Sequence, residues 1–150
     1  MYRRLISSCL FGFAVLVALP AQAERAAVVK TAEGEVFVER AGQRIAARPG
    51  TELQAGDVLN TGPDSRAGFT FEDNSRVALG PKTRYTIARY EFNSTTHEGQ
   101  FDADLTRGSM AMVSGRLSKQ SPEAVRVKTP STVLAVRGTH FLVEIPEDAQ

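Results

Sequence analysis

The chain has 150 residues, with 18 Lys+Arg against 17 Asp+Glu. That length suits one domain whose core needs no disulfide or metal staple, and the balanced charge excludes a nucleic-acid binder working through a broad basic surface. The 12 Gly and 7 Pro are scattered, which excludes collagen and low-complexity linkers.

Arg3 and Arg4 precede an apolar stretch over residues 5–19, after which Pro20 leads into the small-residue triplet Ala21-Gln22-Ala23. A positive start, a short apolar run and an A-x-A triplet mark a secretory signal peptide over residues 1–23 and predict cleavage after Ala23. The run is short for a bilayer-spanning helix and is broken by Ser7, Ser8 and Gly12; an uncleaved anchor is the alternative. Cys9, the only cysteine, lies inside this segment. Residues 24–150, the expected mature domain, therefore hold no thiol for a disulfide, a nucleophile or a zinc site. They also contain no second apolar span, so the expected product is periplasmic or secreted and does not span the membrane once the signal is cleaved.

From residue 24 onward apolar residues recur with period 2 rather than 3.6, which predicts an all-β domain. Val36 and Val38 share one face. Over 65–71, Ala67, Phe69 and Phe71 alternate with Arg66, Gly68 and Thr70. Over 84–92, Tyr85 and Ile87 share one phase and Tyr90 and Phe92 the opposite one, so the strand switches faces near Ala88-Arg89, by a β-bulge or a corner. Further alternating sets are Phe101, Ala103 and Leu105 opposite Asp102 and Asp104; Met110 and Met112; Val125 and Val127 opposite Arg126 and Lys128; and Phe141, Val143 and Ile145.

Turn signals separate these runs at roughly 8–12 residues, the spacing of a β-solenoid-like coil or a sandwich of short strands. They are Ala41-Gly42, Pro49-Gly50, Ala55-Gly56-Asp57, Gly62-Pro63-Asp64, Asp73-Asn74, Gly80-Pro81, Gly108 and Thr129-Pro130. The expected core is Phe69, Phe71, Val77, Leu79, Ile87, Phe101, Leu105, Met110, Val127, Val136, Phe141 and Val143. Segments 93–98 and 115–123 are polar and lack aliphatic pairs, so both are expected to be mobile loops with nothing to bury. Residues 58–67 are echoed by 127–136, each a strand, a Gly or Pro turn and a second strand, which allows stacked coils without requiring them.

Catalytic signals are sparse. His97 falls in a polar loop, and His140 lies out of phase with Phe141, Val143 and Ile145, so it points away from that core. No Gly-x-Ser-x-Gly elbow is present; Gly108-Ser109 and Ser114-Gly115 lack its outer glycine. Neither Gly-x-Gly-x-x-Gly nor the phosphate-loop pattern ending in Gly-Lys-[Ser/Thr] occurs. Asp102 and Asp104 share a strand face and read as solvated carboxylates rather than cation ligands. No cofactor, metal or catalytic residue is expected, and the chain reads as non-enzymatic. Arg116, Lys119, Arg126, Lys128 and Arg137 make the C-terminal third mildly basic, the wet side of a sheet or a patch for an acidic glycan or a protein.

Three separated blocks resemble the FecR domain family over about residues 30–145. The first, residues 49–67, carries Gly56, Asp57, Thr61, Gly62, Asp64, Ser65 and Ala67. The second, residues 71–81, holds Asp73, Ser75 and Gly80, with Asn74 where the family has glycine; Asn tolerates the left-handed conformation such a turn needs. The third, residues 129–141, carries Thr129, Pro130, Arg137, Gly138 and Thr139. The resemblance implies an extracytoplasmic β-rich sensing or interaction module, which in its best-known members serves a sensor of an alternative sigma factor. Here the expectation is a free-standing exported domain that binds a protein or acidic glycan of the cell envelope. The alternative is a structural envelope component packed against other chains or peptidoglycan. These motif residues are expected to be mainly structural. Gly138 joins two strands at positive φ or a close backbone approach, and Arg137 lies near the domain body beside Asp57 or Asp64.

The intact mass of the exported protein tests the signal: the expected product begins at Glu24, and one retaining residues 1–23 contradicts it.

Overall fold

A computed structural model describes residues 24–146; the expected signal segment lies outside the described residues. No helix among the described residues is long and apolar enough to cross a membrane. In chain order the strands are β1 (Arg25–Glu33), β2 (Val36–Arg40), β3 (Gln43–Ala46), β4 (Glu52–Gln54), β5 (Val58–Thr61) and β6 (Arg66–Phe71). They continue as β7 (Arg76–Leu79), β8 (Arg84–Phe92), β9 (Gly99–Val113), β10 (Val125–Lys128), β11 (Val133–Ala135) and β12 (His140–Ile145). One helical turn, α1 (Arg116–Gln120), and a 3-10 turn (Pro122–Ala124) lie between β9 and β10.

The all-β class is observed. The strands form a curled sheet in the order β3-β2-β5-β8-β9-β7-β6-β1-β4, with β10 and β12 added on β9 and β11 on β10. Every pairing is antiparallel except that of β10 with β9. The long strand β9 belongs to both halves of the curl. Up to Arg107 it pairs with β8 and β10, and from Gly108 onward with β7 and β12. The result is a half-barrel, and neither finer description, repeating coil or sandwich, is needed for it.

Alternation produced these strands for the expected reason. In β6, Ala67, Phe69 and Phe71 are buried and the intervening side chains are not. The face switch in β8 is a bulge: the register with β9 shifts between Ile87 and Arg89, leaving Ala88 exposed and extra. Tyr85 and Ile87 before it and Tyr90 after it thus all reach the core. The Ala41-Gly42 turn joins β2 to β3 with both residues at positive φ, the two-residue hairpin geometry that matches strand twist. Asn74 also adopts positive φ (66°).

Aromatic rings fill the centre, with Phe71 4.4 Å from Phe101 and 4.9 Å from Tyr90 between ring centroids, and Phe69 5.6 Å from Tyr85. Ten of the twelve expected core residues are buried. Phe141 and Val143 are only half-buried, because β12 has β9 on one side and no strand among the described residues on the other. Leu53, Leu59, Tyr85 and Leu117 are fully buried and were not expected.

Two further expectations need correction. Segment 115–123 is not a loop with nothing to bury: it forms α1 and the 3-10 turn, and Leu117 is wholly inside. A single aliphatic side chain, with backbone bonds made to a distant turn, replaces the apolar pair that the sequence lacks. The echo between 58–67 and 127–136 does not give equivalent units either. β10 pairs directly with β11, whereas β5 pairs with β2 and β8, and β6 with β1 and β7. Segment 93–98 is the exposed tip of the β8–β9 hairpin, where Asn93 Oδ1 accepts from the Thr95 and Thr96 N–H groups at 2.9 and 3.1 Å.

Phe71→Ala is expected to cost about 3–5 kcal/mol, since it empties the centre of the aromatic cluster. The half-buried Phe141→Ala should cost about half as much. Urea melts of the two variants measure the difference.

Candidate functional site

The motif residues fall into two physically different groups. Those of the first two blocks sit mostly inside the protein and hold the curl together. Those of the third block lie mostly on its open edge.

Asp57 is fully buried and accepts from Arg40, Nε to Oδ1 at 2.7 Å and Nη2 to Oδ2 at 2.6 Å, while Oδ2 also receives the Gln54 N–H at 2.9 Å. This fork ties the β4–β5 turn to the end of β2, and it holds the Arg40 guanidinium above its ordinary pKa. Gly56 turns the chain at φ 93° and donates its N–H to the Ile87 carbonyl at 2.7 Å.

Thr61 joins the first block to the second. Its hydroxyl donates to the Gly80 carbonyl at 2.7 Å and accepts the Thr83 N–H at 2.9 Å. Thr83 in turn donates its hydroxyl to the same carbonyl at 2.9 Å and accepts the Ser109 N–H at 3.1 Å. Gly62 donates its N–H to the Glu35 carbonyl at 2.9 Å, and Ser65 Oγ caps the Glu35 N–H at the same distance. Asp64 stands exposed at positive φ between them, and Ala67 is buried opposite Leu79.

Asp73 is the centre of a third knot. Its buried carboxylate accepts from Ser75 N–H (3.0 Å), Ser75 Oγ (2.7 Å), Leu117 N–H (3.3 Å) and the Tyr90 hydroxyl (3.3 Å). Ser75 Oγ also accepts the Gly115 N–H at 2.9 Å, and the Asp73 carbonyl takes the Arg116 N–H at 2.8 Å. A Cβ on Gly115 would stand 2.3 Å from the Asp73 carbonyl oxygen and 2.4 Å from the Ser75 nitrogen, so only glycine fits. The turn that resembles a simple β-hairpin tip is thus the dock for α1.

The third block has another character. Thr129 and Thr132 close the β10–β11 turn, Thr129 N–H to the Thr132 carbonyl at 2.8 Å, with Pro130 and Ser131 exposed at its tip. β11 has no partner but β10 among the described residues, and all three of its residues are exposed. Val133, Leu134 and, on β12, Leu142 are exposed large hydrophobics. Leu134 and the 129–132 turn face Val143 and Ile145 across a cleft of about 180 Å³.

Arg137 is not near the domain body and meets neither Asp57 nor Asp64. Its side chain is 74% exposed and pairs only loosely with Glu123 at 3.4 Å. Asp57 already has Arg40, and after the buried Val136 residues 137–139 run over the outside between the two edge strands. Gly138 does take positive φ (124°), in open space, and its carbonyl accepts from Ser114 Oγ at 2.8 Å; Thr139 is exposed. Among the other basic residues, Arg126 Nε holds Asp102 at 2.8 Å, while Arg116, Lys119 and Lys128 are exposed. His140 is exposed, as its phase implied, and His97 stacks on Phe92 with centroids 6.0 Å apart.

Sequence reasoning missed Arg40, Thr83, Tyr90 and Gly115 as members of these knots. None stands in a motif block, and only three-dimensional proximity reveals them. The family model described as FecR protein matches residues 57–150, so residues 49–56 of the first block lie outside the matched region. No curated protein and no solved structure matches the chain.

Burial, and then the neighbouring Asp73 carboxylate, push the Tyr90 phenol well above its ordinary value of 10.0. Burial and Asp104 do the same to Tyr85. Both phenols therefore stay protonated in the folded protein while those of the unfolded chain ionise. The stability they contribute is complete below pH 10.0 and lost as pH rises beyond it. Urea midpoints followed into the alkaline range should fall beyond that point, and a Tyr85→Phe/Tyr90→Phe double variant should fall less steeply.

Proposed function

The chain belongs to the FecR protein family, and on that premise we propose that it is an exported, non-enzymatic sensing and interaction module that holds a protein of the cell envelope against its β10–β11 edge. The observation that carries this reading is the location of exposed apolar surface: Val133 and Leu134 stand in the third motif block, outside the core, on a strand with one free edge. Exposed aliphatic side chains beside unpaired strand backbone recognise an extended or sheet-forming partner. An acidic glycan is favoured less, because Arg126 and Arg137 each already have a carboxylate beside them, at 2.8 and 3.4 Å. The absence of a Gly-x-Ser-x-Gly elbow and of a nucleotide loop supports the non-enzymatic side of the reading.

Capture from envelope extract, compared with a Val133→Ser/Leu134→Ser variant, tests it. The expected result is one protein retained at saturable stoichiometry by the wild type and lost, at an unchanged urea midpoint, by the variant. Co-sedimentation with peptidoglycan, independent of those two residues, would favour a structural envelope component instead.

A further inference from the structure

Strand β12 has its own unpaired edge, bordered near its C-terminal end by the 129–132 turn across the cleft, and the composition of that edge reads as complementary to itself. The Ser114 N–H donates to the Thr139 carbonyl at 2.9 Å, so 139 and 114 form a hydrogen-bonded antiparallel pair. Alternation then makes 141/112, 143/110 and 145/108 the bonded pairs of the β12–β9 ladder. The other side of β9 agrees: Gly80 N–H donates to the Ser109 carbonyl, so residues 109, 111 and 113 spend their backbone groups on β7. His140, Leu142 and Glu144 are left with N–H and C=O groups aimed away from β9, where no strand lies among the described residues. Their side chains are exposed on one face, and Leu142 is 72% exposed.

We propose that a second copy of this chain occupies that edge, the two β12 strands pairing antiparallel about a two-fold axis at Leu142. In this register Leu142 faces Leu142 of the other copy, and His140 faces Glu144 twice, an imidazole against a carboxylate. On the core side the half-buried Phe141 and Val143 meet in the same way, an aromatic against a β-branched side chain, twice. Sliding the pairing by two residues either way sets Leu142 opposite His140 or Glu144, and centring it on Glu144 opposes two carboxylates. Of these registers only the Leu142-centred one matches the side chains of 140–144 on both faces, and it uses all three free backbone positions. The dimer would join the β4-β1-β6-β7-β9-β12 halves of two molecules into one continuous sheet. This inference does not depend on the partner reading above, which uses β11. A six-residue strand edge makes a small interface, so association in the micromolar range or weaker is expected.

Sedimentation velocity of the purified protein over a concentration series is the test, with circular dichroism confirming that each variant is folded. The wild type should show a reversible monomer–dimer equilibrium. His140→Glu, which sets carboxylates against each other twice, and Leu142→Lys should each weaken it at least tenfold. The exchange His140→Glu/Glu144→His should restore it, because each pair is regenerated in reverse. A monomer at all concentrations, a dimer indifferent to His140→Glu, or an exchange variant that fails to recover would each overturn the proposal. If dimerisation follows this pattern while envelope capture fails, the partner reading falls and this one stands; the reverse outcome separates them equally.

Discussion

The fold depends on one strand serving two halves of a curled sheet. β9 can do so only by bending where its partners change, between Arg107 and Gly108. Gly108 takes φ 83° there, and a Cβ would stand 2.3 Å from Thr83 Oγ1 and 2.6 Å from its Cα. The bend is locked by the buried Thr61 and Thr83 hydroxyls, which meet at the Gly80 carbonyl, that of Thr83 also accepting the Ser109 N–H. Residues from the end of β5, the β7–β8 turn and the middle of β9 thus satisfy one another's backbone groups at the point where the ladder is interrupted. A buried backbone group left unpaired at such a corner would cost more than the contact is worth elsewhere.

The Asp73 knot solves a related problem at the far end of β9. After Val113 the chain must leave the sheet, and it does so through a five-residue helical turn too short to be stable alone. Leu117 supplies apolar burial and Asp73 accepts its N–H, so the turn is held at both its side chain and its backbone. The same carboxylate orients Tyr90, which the β8 bulge has brought to the core side. Bulge, turn and helix are therefore one arrangement, distributed over residues more than forty positions apart.

None of these locks reaches the edges of the C-terminal strands. β10 and β12 attach to β9, one on each half, and β11 hangs on β10 alone. Inward-facing apolar surface that a closed barrel would cover, on Leu134, Phe141 and Val143, is consequently only partly covered, while Val133 and Leu142 point outward and are exposed. The buried part of the motif set and the accessible part are thus segregated along the chain: hydrogen-bonded turns in the first two blocks, open edges in the third.

Period-2 alternation was sufficient to identify β2, β6, β10 and most of β9 with their buried faces, because side-chain direction in a strand follows from local geometry alone. The β8 phase change announced a bulge or a corner, of which the structure has the bulge, and Asn74 a left-handed turn, for the same local reason. The partners of Asp57, Asp73 and Arg137 were not legible. A buried carboxylate takes whichever donor the fold brings within 3 Å, and for Asp57 that is Arg40, seventeen residues earlier, rather than Arg137. Nor could alternation say that Phe141 and Val143 would be half covered, since their phase is that of a core strand and only the lack of a neighbour beyond β12 decides their exposure. The sequence by itself determined the all-β class, the inward faces of the strands whose apolar residues alternate, and the turns marked by Gly, Pro and Asn. Which edges stay open, and which polar groups meet inside, was decided by the tertiary structure, because both depend on contacts between residues far apart in the chain.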